Sequence, residues 1–226
     1  MEFEVDEDLA KTMLQSHFRN YCRHPSVRSL DKEQFELLMI HFAAQTGVGA
    51  PTEVELDNFM QAMDVDGNGT LEEEEWVAFM LKGFYLDEEA AAAFAKRSRM
   101  HMKCIAAIQF SKLKLYKHST IVSNVFKKYD TDGNGKIDAT EMRDMIADII
   151  ADRSDPPSEK EIQLFMRAMS NGEDGEVHEK DILRFFLGGA AQSVERRQNF
   201  ANRSPMHNKL DHFIQYILDV EANGTL

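Results

Sequence analysis

The chain contains 226 residues, of which 43% are hydrophobic, and it carries a formal net charge of −13 at pH 7. The apolar content suffices for one large or two small domains, and the negative charge argues against a nucleic-acid partner. Cys22 and Cys104 lack paired spacing, which indicates free thiols in a reducing compartment. The acidic amino terminus has no apolar signal core and places Glu2 where myristoylation requires glycine, so we expect a cytoplasmic protein without a membrane anchor.

The first predicted unit consists of two amphipathic helices on either side of a basic segment. Residues 8–22 and 32–45 carry apolar side chains at helical spacing. The segment between them, residues 23–34, contains three Arg or Lys side chains and has Leu30 at its eighth position. A segment with this charge is expected to bind no metal ion.

An acidic loop follows the next predicted helix. Thr52, with Glu55 three residues later, forms a capping box that starts this helix. Residues 64–75 then read DVDGNGTLEEEE, with oxygen-bearing groups at positions 1, 3, 5, 7, 9 and 12 and glycine at position 6. Ca²⁺ takes six to eight oxygen ligands, and this spacing is that of the twelve-residue calcium loop of an EF-hand. The expected ligands are the side chains of Asp64, Asp66 and Asn68, the carbonyl of Thr70, Glu72 directly or through water, and both carboxylate oxygens of Glu75.

Residues 130–141, DTDGNGKIDATE, form a second loop of the same kind. Ser119 or Thr120 is expected to cap the helix that leads into it. Leu71 and Ile137, at the eighth positions of the two loops, are each expected to pair briefly with a partner loop. The expected ligands of the second loop are Asp130, Asp132, Asn134, the carbonyl of Lys136, Asp138 and Glu141.

A fourth segment, residues 170–181, reads SNGEDGEVHEKD and has lost most of the ligand pattern. Ser170 replaces the first aspartate, Gly172 has no side-chain oxygen, and Asp181 is one methylene shorter than the glutamate that would bind through two oxygens. Asp174 alone cannot compensate, so we do not expect calcium here. Each half of the chain therefore pairs one acidic loop with one degenerate loop.

The two halves are copies of one another. Residues 94–103, FAKRSRMHMK, match residues 200–209, FANRSPMHNK, at seven of ten positions and at an offset of 106 residues. We predict an all-α fold with four EF-hand helix-loop-helix units in two lobes, residues 1–117 and 118–226. Each lobe is followed by two extra short helices, capped by Asp87 or Ser193 and then by Ser98 or Ser204.

The repeated F-A-x-R-S-x-M-H-x-K element admits several interpretations. A metal or catalytic role for His101 and His207 is disfavoured because nearby Cys104 becomes Leu210 in the other copy. The alternatives are a structural role, a partner contact, and an internal helix that fills the groove of its own lobe. The methionines beside the loops are also open to two interpretations, as the lining of a target groove or as ordinary core.

With these motifs, residues 8–189 resemble the calmodulin-like EF-hand superfamily. The order of loops and the extra helices are somewhat similar to protist 25-kDa and flagellar calcium-binding proteins. The resemblance implies a switch that binds Ca²⁺ and then a helical target.

We therefore expect a Ca²⁺ sensor or regulatory subunit that binds about two Ca²⁺, with Mg²⁺ as a candidate competitor. Its partners would be proteins, through an amphipathic helix or a cytoskeletal assembly, and its location cytoplasmic, with a flagellar or cytoskeletal site as a further option. The alternative is a structural or buffering component of a cytoskeletal or axonemal assembly. We predict no catalytic residues and no enzyme, because no nucleotide loop or nucleophile motif occurs outside the loops.

Overall fold

The computed structural model describes residues 6–24, 26–149, 156–170, 175–190 and 194–223. These residues are mostly helical, as predicted, with two very short strands. The elements in chain order are α1 (Glu7–Arg19), β1 (Ser29–Leu30), α2 (Lys32–Thr46), α3 (Glu53–Met63), β2 (Leu71–Glu72), α4 (Glu73–Phe84), α5 (Glu88–Ala95), α6 (Arg99–Tyr129), α7 (Ala139–Ile149), α8 (Glu159–Met169), α9 (Glu179–Ala190), α10 (Val194–Ala201) and α11 (Pro205–Asn223).

The chain divides into two compact units, Met1–Leu115 and Tyr116–Leu226. Helix α6 runs through the division without a break, so the prediction that a new helix is capped at Ser119 or Thr120 is wrong. Thr120 Oγ1 instead donates to the carbonyl of Tyr116 at 3.0 Å, one turn back in a continuing helix. Neither glycine nor proline occurs in α6 to stop it. The second extra helices are also not short, since α6 has 31 residues and α11 has 19.

The predicted helix starts are otherwise confirmed where the structure describes them. Thr52 with Glu55 forms the predicted capping box at α3, and Ser158 with Glu161 forms a further capping box at α8. Asp87 accepts a hydrogen bond from the Ala90 amide at the start of α5. Helix α11 begins at Pro205. Proline has no amide hydrogen, but the first residue of a helix has no carbonyl within the helix to receive one, so no hydrogen bond is lost. The predicted cap at residue 193 lies outside the described residues.

In the first unit, α1 packs against α4, and α2 against α3. The aromatic rings of Phe35 and Phe59 stack at 5.9 Å between centroids, and Trp76 is buried beside them. Strands β1 and β2 pair antiparallel with Leu30 opposite Leu71, which confirms the predicted pairing at the eighth positions. Arg28, in the basic segment before β1, has a structural role. Together with Arg19 of α1, it binds the buried carboxylate of Glu73.

In the second unit, α11 packs against α7, α8 and α9, and α10 packs against α11. Phe165, Phe186 and Phe213 fill its core. The amide of Ile137 donates to the carbonyl of Val177 at 2.8 Å, so the eighth residue of this acidic loop also pairs with its partner loop. No helix in the described ranges is long and apolar enough to cross a membrane.

The repeated element forms the same small structure twice. Ser98 Oγ accepts from the His101 amide at 3.3 Å and lies 2.8 Å from His101 Nδ1, while Phe94 packs on the His101 ring with centroids 4.5 Å apart. In the second copy, Ser204 Oγ lies 2.7 Å from His207 Nδ1, and the His207 ring contacts Phe200. These contacts favour the structural interpretation, in which the serine caps the helix and the histidine is held against a phenylalanine.

The methionines beside the loops are mostly core in this conformation. Met166 is half-buried, and seven others are buried. The buried ones are Met39, Met60, Met63, Met80, Met142, Met145 and Met169. The methionines beside the loops therefore present little surface in this conformation.

The capping glutamate of α3 gives a testable dependence of stability on pH. Lys103, followed by the backbone amide of Thr52, holds the pKa of Glu55 below its ordinary value of 4.5. Ionised Glu55 therefore stabilises the folded chain fully above that value, and the stabilisation is lost as pH falls through the lowered pKa. Glu55→Gln should lose less stability than the wild type between about pH 5 and pH 3, as measured by urea unfolding in calcium-free buffer.

The matched control is Glu53→Gln, two residues earlier, whose exposed carboxylate contacts Lys32 at 3.3 Å. It should follow the pH dependence of the wild type. Equal pH profiles for wild type and Glu55→Gln would show that the ion pair with Lys103 adds nothing to stability.

Candidate calcium-binding loops

The first acidic loop begins where α3 ends. Asp64 is the C-cap of α3, and its carboxylate accepts from the amides of Asn68 at 3.1 Å and Gly69 at 2.8 Å. Gly67 and Gly69 have φ of 73° and 82°, which the backbone needs in order to turn these amides inward. The loop thus folds back over the first aspartate.

Glu75 reaches across the same loop from the first turns of α4. Its Oε1 accepts from the Val65 amide at 2.6 Å, and its Oε2 accepts from the Glu72 amide at 3.0 Å. One oxygen each from Asp64, Asp66 and Glu75 lies within 4.8 Å of the others. These three carboxylates form the centre of the predicted first site.

The middle ligands of the first loop are linked to this centre by hydrogen bonds. Asn68 Nδ2 donates to Asp66 Oδ2 at 2.9 Å and to Glu72 Oε1 at 2.8 Å, and the Thr70 amide donates to Asn68 Oδ1 at 2.8 Å. Asn68, Thr70 and Glu72 are therefore hydrogen-bonded to one another and, through Asn68, to Asp66 of the three converging carboxylates. Their predicted role as ligands remains a proposal.

The second acidic loop repeats the arrangement. Oxygens of Asp130, Asp132 and Glu141 lie within 4.8 Å of one another. Asp130 Oδ2 accepts from the Gly135 amide at 3.0 Å, and Gly133 and Gly135 have φ of 70° and 81°. Asn134 Nδ2 donates to Asp132 Oδ2, the Lys136 amide donates to Asn134 Oδ1, and Asp138 Oδ1 accepts from the Glu141 amide at 2.9 Å.

The threonine at the second position of this loop was not singled out from the sequence. Thr131 donates to Glu141 Oε1 twice, from its amide at 2.8 Å and from its hydroxyl at 3.0 Å. Val65, at the equivalent position of the first loop, offers only its amide to Glu75. A hydroxyl-bearing residue at position 2 of the loop could have indicated this contact from the sequence. The hydroxyl gives Glu141 one hydrogen bond that Glu75 lacks.

The carboxylates of the first loop differ in how readily they ionise. Burial, and then the neighbouring Glu72, raise the pKa of Glu75, whereas the Gly69 amide leads the hydrogen bonds that lower the pKa of Asp64. Like charges held close together disfavour ionisation of all of them at once. A divalent cation between them would relieve that repulsion.

The oxygen atoms available in the loops fit a hard divalent cation. Among the described residues, Asp130 Oδ1 and Glu72 Oε2 are buried side-chain atoms with no hydrogen-bond partner. A buried carboxylate oxygen without a donor is costly, and coordination to a cation would satisfy it. The donor set is made of oxygen alone, which suits Ca²⁺ or Mg²⁺ rather than zinc or copper.

The degenerate loops look different. In the first degenerate loop, the Arg23 guanidinium binds the Asp31 carboxylate at 2.6 Å. The positive charge beside this carboxylate is thus supplied by an arginine side chain. Gly172 and Asp174 of the fourth lie outside the described residues. In the part that is described, Asp181 Oδ2 accepts from the His178 amide at 3.1 Å while Oδ1 binds Arg184 at 3.1 Å. Asp181 thus occupies the place of the terminal glutamate but is paired with an arginine.

The comparison with known families locates two matches on these loops. An EF-hand domain pair matches residues 123–187, and an EF hand matches residues 56–80. The first match contains the loop at residues 130–141, and the second contains the loop at residues 64–75.

Two plant proteins from Oryza sativa subsp. japonica are similar over a longer range. Calcium-dependent protein kinase 22 is 25% identical over 159 residues, which is 70% of this chain and 22% of the kinase. Putative calmodulin-like protein 6 is 25% identical over 138 residues, which is 61% of this chain and 64% of that protein. The matched region thus spans less than two thirds of the length of either relative. Two segments of the chain thus match EF-hand models, and part of the chain is similar to a calmodulin-like protein.

Proposed function

We propose that this protein is a two-lobed calcium sensor or regulatory subunit that binds one Ca²⁺ in each acidic loop and acts through protein partners, without enzymatic activity of its own. The observation that carries the proposal is the convergence of three carboxylates within 4.8 Å in each loop, Asp64, Asp66 and Glu75 in one and Asp130, Asp132 and Glu141 in the other. Bound calcium would supply the positive charge that holds these groups together.

The loop pairings support four EF-hand units arranged in two lobes. Leu30 pairs with Leu71 in the first unit, and Ile137 pairs with Val177 in the second. Each pairing joins an acidic loop to a degenerate one, so one metal site per lobe is the expected number. The proposed ligands are those predicted from the sequence, residues 64, 66, 68, 70, 72 and 75 and residues 130, 132, 134, 136, 138 and 141.

A sensor must convert binding into movement, and the ligands are placed to do so. Asp64 follows the last residue of α3, while Glu75 belongs to α4. Drawing these two carboxylates together therefore acts on the ends of two different helices. In sensor EF-hands a change of this kind alters the angle between the helices and exposes apolar surface.

The test is a calcium titration followed by heteronuclear NMR and by fluorescence of an apolar dye. We expect shifts throughout both lobes and an increase in dye binding, with Mg²⁺ titrated separately as a competitor. If calcium binds but neither signal changes, the protein is not a sensor.

One observation favours the alternative, a structural or buffering role. The apolar stripes of the extension helices are already buried, so that the lobes are covered by their own chain. The residues are Ile105, Ile108 and Leu115 in α6 and Leu210, Phe213, Ile214 and Ile217 in α11. Under this alternative the protein would remain bound to a cytoskeletal or axonemal assembly in chelator, whereas a sensor should bind its partner only with calcium.

A further inference from the structure

The first part of α6, residues 99–115, touches both helices that flank the first acidic loop. We call this part the bracket segment. Lys103 is only 8% exposed, and its Nζ donates at 2.8 Å both to the Ala50 carbonyl and to Glu55 Oε2, at the start of α3. Farther along the same segment, Lys112 Nζ donates at 3.1 Å to the carbonyl of Phe84, the last residue of α4. The bracket segment thus holds the two helix ends that lie away from the loop.

A close apolar contact strengthens the attachment to α4. A Cβ atom added at Gly83 would lie 3.0 Å from Ile108 Cγ1 and closer still to Cδ1, so the glycine allows the isoleucine to pack directly on the backbone. Ile108 is 2% exposed. The bracket segment therefore contacts α4 through Ile108 and Lys112 and is joined to α3 through Lys103.

Calcium binding acts on the same two helices from the other end. The loop joins the end of α3, at Asp64, to the start of α4. Any change in the angle between α3 and α4 changes the separation of their far ends, Glu55 and Phe84, to which the bracket segment is bonded. Docking of this segment and closure of the loop around a cation are consequently not independent.

In the second lobe, the equivalent lysine, Lys209, contacts a helix that flanks a degenerate loop instead of an acidic one. Lys209 is 5% exposed and donates from Nζ to Glu161 Oε1 at 3.1 Å, at the start of α8, while Ile214 packs on Gly189 in α9. Helices α8 and α9 flank the degenerate loop at residues 170–181, not the acidic loop of that lobe. Only in the first lobe, therefore, does the lysine–glutamate contact lie on a helix that leads into a proposed metal site.

We propose that Lys103 is a latch through which docking of the bracket segment and calcium binding at residues 64–75 stabilise each other, whereas Lys209 latches a helix pair that binds no calcium. The proposal rests on the calcium site proposed above. Its direction is that of the conformation described here, in which the latch is formed while oxygens of Asp64, Asp66 and Glu75 lie within 4.8 Å, so calcium that holds this conformation also holds the latch. Loss of the latch should therefore weaken calcium binding, although Lys103 is no ligand.

The experiment uses the full chain with Glu141→Gln, so that only the first loop is titrated. In this parent, Lys103→Met keeps an apolar side chain of similar length and removes the ammonium, while Glu55→Gln keeps the capping box, which accepts glutamine equally well. We expect Lys103→Met to raise the calcium Kd by about fivefold or more, the low end of measured couplings between sites. Glu55→Gln should raise it in the same direction by less, and the double variant should be no weaker than Lys103→Met alone.

The matched controls are Lys209→Met and Glu161→Gln in the same parent, which remove the equivalent contact and should leave this Kd unchanged within about twofold. Because coupling between sites is reciprocal, calcium should also slow amide hydrogen exchange in residues 99–115 of the parent, and less so in Lys103→Met. An unchanged Kd in the folded variants at Lys103 and Glu55, or equal weakening by Lys209→Met, would overturn the latch alone. A parent that binds no calcium would overturn both the latch and the proposed site.

Discussion

Glu75→Gln and Glu141→Gln are each expected to remove one calcium ion from a chain that binds two. Both oxygens of each glutamate are already held over their loop, by the amides of Val65 and Glu72 in one case and of Thr131 and Asp138 in the other. The glutamine side chain has the same size but only one acceptor oxygen and no charge, so it cannot bind Ca²⁺ through two oxygens. We expect at least about a tenfold loss of affinity at the altered site.

Isothermal titration calorimetry gives the stoichiometry directly. Trp76, buried beside Glu75, adds an optical signal for the first loop, which Glu75→Gln should abolish and Glu141→Gln should preserve. The matched control is Glu74→Gln, an exposed neighbour in α4 that carries the same change in charge and should retain both ions. Three or four ions in the wild type, or two in either loop variant, would contradict one site per lobe.

The parts of the structure that could be predicted are those determined by residues close together in the sequence. An oxygen at every second position from 64 and a glycine at position 6 are enough to indicate a calcium loop, and the loop bends back on Asp64 through amides only four and five residues away. Capping boxes at Thr52 and Ser158 are equally local, since both partners lie within one turn.

The continuity of α6 shows where local signals mislead. Serine and threonine, as at positions 119 and 120, are favoured at the start of a helix. Inside a helix, however, their hydroxyls can donate to a carbonyl one turn earlier. The sequence alone does not distinguish these two arrangements. Thr120 does the latter, bonding to Tyr116. No glycine or proline occurs in α6 to stop the helix at this point.

Contacts between residues that are far apart in the sequence could not be predicted either. The repeat showed that Lys103 and Lys209 are equivalent, yet not that each binds a capping glutamate 48 residues earlier. Likewise, the cationic residues at positions 23 and 28 were interpreted only as a reason against metal binding. In the structure they bind Asp31 and the buried Glu73, which are ion pairs that the sequence did not indicate.

Gly189→Ala is expected to destabilise the second unit, although alanine normally favours a helix over glycine. A Cβ at position 189 would lie 3.1 Å from Cγ1 of Ile214 and closer still to its Cδ1. Ile214 is 3% exposed, and its side chain would have to shift to admit the added methyl group. Overpacking of a buried contact costs about 1–3 kcal/mol, whereas the helical preference returns about 0.5–1 kcal/mol, so we expect a net loss of up to about 2.5 kcal/mol. Urea unfolding in chelator measures it without a contribution from calcium.

The preceding glycine provides the control, since both residues lie in α9 and undergo the same chemical change. Nothing lies within 4 Å of a Cβ added at Gly188, so Gly188→Ala should stabilise the chain by about 0.5–1 kcal/mol through helix propensity alone. The opposite signs at adjacent positions separate packing against α11 from any general effect on the helix. If both substitutions stabilise the protein equally, α11 is not seated on Gly189 in solution, and the view that each lobe is covered by its own extension would have to be abandoned for the second lobe.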